Sequence, residues 1–182
     1  MRFCFILLVL FLGLISHGAD VKPLIRQLIE TREQLDGIPF SQVVEANTGK
    51  KLLSFDRNSV ADQAFLQKIS DSLDRVMKAV SDKKHPAHEQ KRINEVSKYF
   101  EETIREELNR VEGFECDFPK TAEGRTQRSG YPDLRLVDRK TGRIVYLDPK
   151  LFQASSRKSS LRTFYFTPQL ETRKILDDAH HL

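Results

Sequence analysis

The sequence predicts a mixed α/β domain preceded by a helical extension, and three observations lead there. Apolar residues recur at helical spacing in separate stretches before residue 113, a strand, a glycine turn and a second strand follow one another between residues 130 and 152, and lysine and arginine gather around that hairpin. Helical periodicity followed by strand periodicity is the pattern of a helix-backed sheet.

Residues 1–18 read as a secretory signal peptide. Arg2 supplies a short charged start, residues 3–15 form an apolar run of 13, and Ser16-His17-Gly18-Ala19 ends in small residues. A membrane span needs about 20 apolar residues. The run is shorter than that, so cleavage is expected to leave no stable membrane anchor and to place the mature chain outside the cytoplasm, secreted or periplasmic. Cleavage after Gly18 puts small Ser16 three positions before the cut and removes Cys4, so Cys116 remains as a lone structural thiol and an intramolecular disulfide framework is excluded.

Residues 19–86 are expected to form the helical extension. A first helix over 23–35 carries Leu24, Ile25, Leu28, Ile29 and Leu35 at helical spacing and stops at Asp36-Gly37. Residues 38–56 read as irregular, with a turn at Asn47-Thr48-Gly49. A second helix over 59–80 places Phe65, Ile69, Leu73, Val76 and Val80 on one stripe.

Residues 87–182 are expected to be the core. The helix predicted over 88–112 buries Ile93, Val96, Phe100, Ile104, Leu108 and Val111 and ends at Gly113, with Glu101 and Glu107 at opposite flanks of that stripe. A short strand over 114–118 is stopped by Pro119. The polar loop that follows, 120–129, carries Arg125 and Arg128 as candidates for holding phosphate oxygens. Between residues 120 and 163 there are 11 Lys and Arg against 4 Asp and Glu, an excess of +7 within a chain of net charge +4. That distribution suits a polyanionic substrate, because phosphate contacts supply most sequence-independent affinity for nucleic acid.

The hairpin holds the candidate chemistry. Residues 131–138 and 143–152 read as its strands, joined by a turn over 139–142 that ends in Gly142. Side chains alternate along a strand, so Asp148 and Lys150 project to one side, and pairing of the strands brings Asp133 alongside Asp148. Two carboxylates and a lysine on one sheet edge are what a Mg²⁺-assisted attack on a phosphodiester requires.

The tail reads as a Ser-rich basic loop over 153–160, with Arg157 and Lys158 as a clamp for a nucleic-acid backbone, then an aromatic strand over 161–166 and a final helix over 169–182. His180-His181 has no matching set of ligands at suitable positions nearby, so no zinc site is expected there.

Pro132-Asp133, fourteen intervening residues and Asp148-x-Lys150, set behind an amphipathic helix and a short strand, resemble the PD-(D/E)xK nuclease superfamily, the restriction-endonuclease-like fold. The resemblance covers about residues 89–182. It implies that Asp133 and Asp148 bind Mg²⁺ or Mn²⁺, that the metal lowers the pKa of a bound water, and that Lys150 orients the water and stabilises charge on the phosphorus. It also implies that a helix glutamate, here Glu101, joins the site. The function expected is a metal-dependent endonuclease or exonuclease hydrolysing nucleic acid, DNA in preference. The alternative is an exported, non-catalytic module of the same fold that binds nucleic acid or another polyanion. Two features depart from the pattern. Pro149 removes a backbone donor inside the motif, which predicts a bulge or an unpaired N–H. The superfamily core usually has a strand after the final helix, so the expected core stops short of one unless residues 161–166 substitute for it.

Overall fold

A computed structural model describes residues 22–31, 37–151 and 171–182. The expected leader over residues 1–18, the expected strand over 161–166 and the expected basic clamp of Arg157 and Lys158 lie outside the described residues. The chain divides into two compact units, Met1–Ile38 and Pro39–Leu182. The first holds helix α1 (Lys22–Glu30), inside the stretch expected to be helical. No helix among the described residues is long and apolar enough to cross a membrane.

The second unit is built on a mixed five-stranded sheet, β1 (Leu52–Leu53), β2 (Phe114–Asp117), β3 (Leu134–Asp138), β4 (Arg143–Leu147) and β5 (Ala179–His181), in the order β1-β5-β4-β3-β2. β2, β3 and β4 form an antiparallel meander, and β5 lies parallel between β4 and β1. This is the α/β architecture expected of a restriction-endonuclease-like fold.

One face of the sheet carries helices α3 (Val60–Ser81) and α4 (Ile93–Asn109). Phe65, Ile69 and Val76 of α3 and Ile104 and Leu108 of α4 pack on Phe114, Cys116, Leu134, Leu136, Val145 and Leu147, the alternate residues that β2, β3 and β4 turn to that side. Helical and strand periods therefore converge on one core. Ser59 caps α3 by accepting the Asp62 N–H at 3.2 Å. Leu73 was expected on the buried stripe but is 39 % exposed. The Cys116 thiol is buried, and burial pushes its pKa up to about 12, the state of an inert structural cysteine. β2 is an edge strand, and Asn109 clamps it: its side chain donates to the Cys116 carbonyl at 2.8 Å and accepts from the Cys116 N–H at 2.9 Å.

Two stretches differ from expectation. Residues 38–56, read as irregular, contain helix α2 (Phe40–Thr48) and β1; Gly49, at φ +68°, is the left-handed stop of that helix rather than an independent turn. Val44 alone is buried on α2, too short an apolar pattern to declare a helix. Within the tail expected to be helical, residues 171–178 are turn and extended chain and 179–181 are β5. Long-range pairing outweighs weak local preference there. Asp178 accepts the Lys51 N–H at 2.8 Å, Asp177 holds Arg135 at 2.8 and 3.1 Å, and Leu182 donates to the Tyr146 carbonyl at 2.9 Å. Residues 39–86, read with the extension, thus supply a strand of the sheet and a helix of its core.

Candidate active site

The turn between β3 and β4 fixes the geometry of the site. The Asp138 carboxylate accepts from the Lys140 N–H at 3.0 Å and the Thr141 hydroxyl at 2.9 Å, and Gly142 takes the positive φ of +73° that closes the turn. The register it sets pairs Leu134 with Leu147, and beyond that pair the Asp133 N–H donates to the Leu147 carbonyl at 3.1 Å. Asp133 and Asp148 therefore stand opposite one another at the end of the hairpin.

Asp148 is near enough for its charge to bear on the Asp133 carboxyl. The Asp133 carboxyl is held well above the usual carboxylate range, first by burial, then by the negative charges of Asp148 and Glu101, with Lys150 pulling the other way. Asp148 forms an ion pair with Lys150 at 2.7 Å; its carboxylate is largely covered, while the lysine side chain is 59 % exposed. Both follow the end of β4, so Pro149 interrupts no ladder and the predicted bulge is absent: the strand stops at Leu147. The Asp148 N–H finds its partner in the Leu182 carbonyl at 3.0 Å, which ties the acid to the segment after β5.

Glu101 is brought close enough for its charge to act on Asp133. Its carboxylate accepts from Arg128 at 3.1 Å, and Arg128 also donates to the Lys98 carbonyl and lies 4.0 Å over the Phe118 ring. Arg125 is paired with Glu123. The two arginines expected to face phosphate are thus engaged within the protein. Glu107, the other flank residue of α4, is bound by Arg75 at 3.0 Å and Arg110 at 2.5 Å.

Sequence patterns missed two neighbours of the acids. Lys174, 2 % exposed, comes from the segment before β5 and senses the charges of Asp133, Asp148 and Glu101. His181 of β5 hydrogen-bonds the Tyr131 hydroxyl and, with Phe40, Tyr131 and Leu182, lines an apolar cavity of about 380 Å³ that reaches Asp148. Burial lowers the His181 pKa to about 4, so the ring is neutral near pH 7. A lone Lys and a terminal His carry no spacing signal; only β5 lying beside β4 brings them here.

Two adjacent carboxylates are a donor set that fits a hard divalent cation. No group of three or more His, Cys, Asp or Glu among the described residues is gathered into a metal cage. Asp133 and Asp148 would be the residues to hold such a cation, with water and substrate left to supply further ligands.

Comparison with known proteins finds that the profile of the Type II restriction enzyme MjaV family matches residues 33–182. The Type II restriction enzyme MjaV of Methanocaldococcus jannaschii is 28% identical over 177 residues, covering 92% of this chain and 75% of the relative. No solved structure matches.

Proposed function

The chain belongs to the Type II restriction enzyme MjaV family, and from that membership we propose that it is a metal-dependent endonuclease hydrolysing phosphodiester bonds in DNA, with Asp133, Asp148 and Lys150 as its site. The observation that carries this reading is the placement of Asp133 opposite Asp148 at the end of the hairpin, with Lys150 ion-paired to Asp148 at 2.7 Å.

Asp133 and Asp148 are the residues that hold the cation, Mg²⁺ or Mn²⁺, and Glu101 adds negative charge from α4. When bound, such an ion supplies a water of lowered pKa and neutralises charge building on the phosphorus. Lys150, exposed at the strand end, has donors free to orient the attacking water and to stabilise the negative charge of the transition state. The covering of Asp133 and Asp148 raises the strength of every such interaction, because water screens less at a half-buried site. Arg125, Arg128, Arg157 and Lys158 remain proposed contacts to the DNA backbone; for Arg125 and Arg128 this requires exchange of their carboxylate partners for phosphate.

Incubation of plasmid and long genomic DNA with the protein and Mg²⁺ or Mn²⁺ tests the reading. Discrete fragments are expected from the wild type and none from Asp148→Ala. DNA bound without cleavage under every divalent ion would leave a binding module instead.

A further inference from the structure

The cavity of about 380 Å³ has Asp148 in its own wall, with Phe40, Tyr131, His181 and Leu182 as the rest of its lining. Backbone and chain geometry fix it against the proposed site. Tyr131 is joined to Asp133 through Pro132 alone. The Asp148 N–H donates to the Leu182 carbonyl at 3.0 Å, and the Leu182 N–H donates to the Tyr146 carbonyl at 2.9 Å. Asp148 is also the partner of Lys150 at 2.7 Å. One acid thus faces the cavity, the lysine and its opposite number Asp133. Leu182, 48 % exposed, carries the cavity wall to the protein surface.

Three of the five lining side chains are rings that hold one another in place. Phe40 and Tyr131 meet edge to face with centroids 5.4 Å apart. His181 stacks on Tyr131 at 5.7 Å and stands edge-on to Phe40 at 6.2 Å and to Tyr146 at 5.3 Å. The hydrogen bond between the Tyr131 hydroxyl and His181 fixes both of those rings. None of the lining residues is Lys or Arg, and Asp148 is the one that carries charge near pH 7, since the His181 ring is neutral there. Such a chamber repels a phosphate and offers ring faces and edges to a flat, uncharged group.

We propose that this cavity is a subsite for one nucleobase of the DNA, that of a nucleotide flanking the cut phosphate, turned out of the helix stack and held among Phe40, Tyr131 and His181. This rests on the nuclease reading above. The occupant follows from the neighbour. A phosphate brought to a cation on Asp133 and Asp148 carries a nucleoside on either side, and these are the parts of the substrate that lie beside a cavity walled by Asp148. Of the parts of a nucleotide, the base alone is flat, aromatic and uncharged. A paired base is enclosed by its neighbours in the duplex, so it has to leave the stack to enter, and the ring faces offset the cost of unstacking.

The test couples a protein ring to a DNA base. Gel-shift affinities in Ca²⁺ are measured for the full chain, wild type and Phe40→Leu, on a duplex carrying the sequence that the wild type cuts. The same duplex is then used with the base removed, as a stable abasic analogue, at each of the two nucleotides flanking the cut in turn. Leucine takes away the ring face and keeps the position apolar. On the intact duplex Phe40→Leu is expected to bind about 5- to 100-fold more weakly, the worth of one base–aromatic stack. On the duplex lacking the base that enters the cavity, wild type and variant are expected to agree within about twofold. On the duplex lacking the other flanking base, the variant's deficit is expected to persist in full.

A Phe40→Leu that binds the intact duplex as the wild type does, beside an inactive Asp148→Ala, would overturn the inference alone. So would an equal deficit on all three duplexes, which is what a loss of folded protein produces. An equal deficit together with a changed oligomeric state in sedimentation would overturn it in favour of a seat for a second copy of the chain. Wild type that cuts no DNA with either ion, or Asp148→Ala that cuts at the wild-type rate, would overturn the proposed function and this inference with it.

Discussion

Replacing Asp133 by Asn should make the metal-free protein more stable while abolishing cleavage. The Asp133 carboxyl is raised from 3.8 to about 7, chiefly by burial and by the charge of Asp148. Each pKa unit corresponds to about 1.4 kcal/mol, so the full shift sets a ceiling of about 4 kcal/mol on the cost of ionising it in the fold. The side chain is partly open to solvent, and screening brings the expected gain to about 1–2 kcal/mol. A carboxyl whose folded pKa lies above its unfolded value contributes stability below the unfolded pKa and loses it as pH rises through the folded one. The wild type therefore sheds this contribution between about pH 4 and pH 7, whereas the Asn variant, with nothing to ionise, keeps it. Urea unfolding in EDTA, followed by circular dichroism, should show the variant's advantage at pH 8 and little or none at pH 4. Added Mg²⁺ should stabilise the wild type and not the variant. An Asn variant less stable than wild type at pH 8, or an advantage equal at both pH values, would refute the reasoning.

Three further outcomes are expected. The acid limb of the pH–rate profile should lie near neutrality, because Asp133, raised to about 7, must lose its proton to hold the cation, and the limb should move to lower pH as Mg²⁺ is raised. Lys150→Met should lower the single-turnover rate about 10²- to 10³-fold, with DNA affinity in Ca²⁺ nearly unchanged, in gel-shift and cleavage assays run in parallel. Leu136→Ala, which empties a fully buried position of β3, should destabilise by about 2–5 kcal/mol in urea unfolding, with the rate of the remaining folded protein retained.

The hairpin was legible in the sequence because turn and strands agree. Gly142 and Asp138 specify the turn, the turn specifies the register, and the register sets Asp133 opposite Asp148 with Lys150 beside them. Helices α3 and α4 were legible because their apolar residues repeat over enough turns to declare a face. β1 and β5 were not legible. They are two and three residues long, and Leu52 pairs with Ala179, a partner far away in the sequence. The burial of Lys174 was not legible either, since no pattern in its neighbouring residues signals it. Arg125 and Arg128 show the converse: a basic loop was visible, but that its arginines would be taken by Glu123 and Glu101 was a property of the packed chain.

The central claim is that Asp133 and Asp148 hold the cation that cleavage requires, and anomalous diffraction from crystals grown with Mn²⁺ tests it most directly. The account predicts a peak between those two carboxylates in the wild type and its disappearance in Asp148→Ala. A peak bound elsewhere in an active enzyme, with none between the two acids, would contradict it.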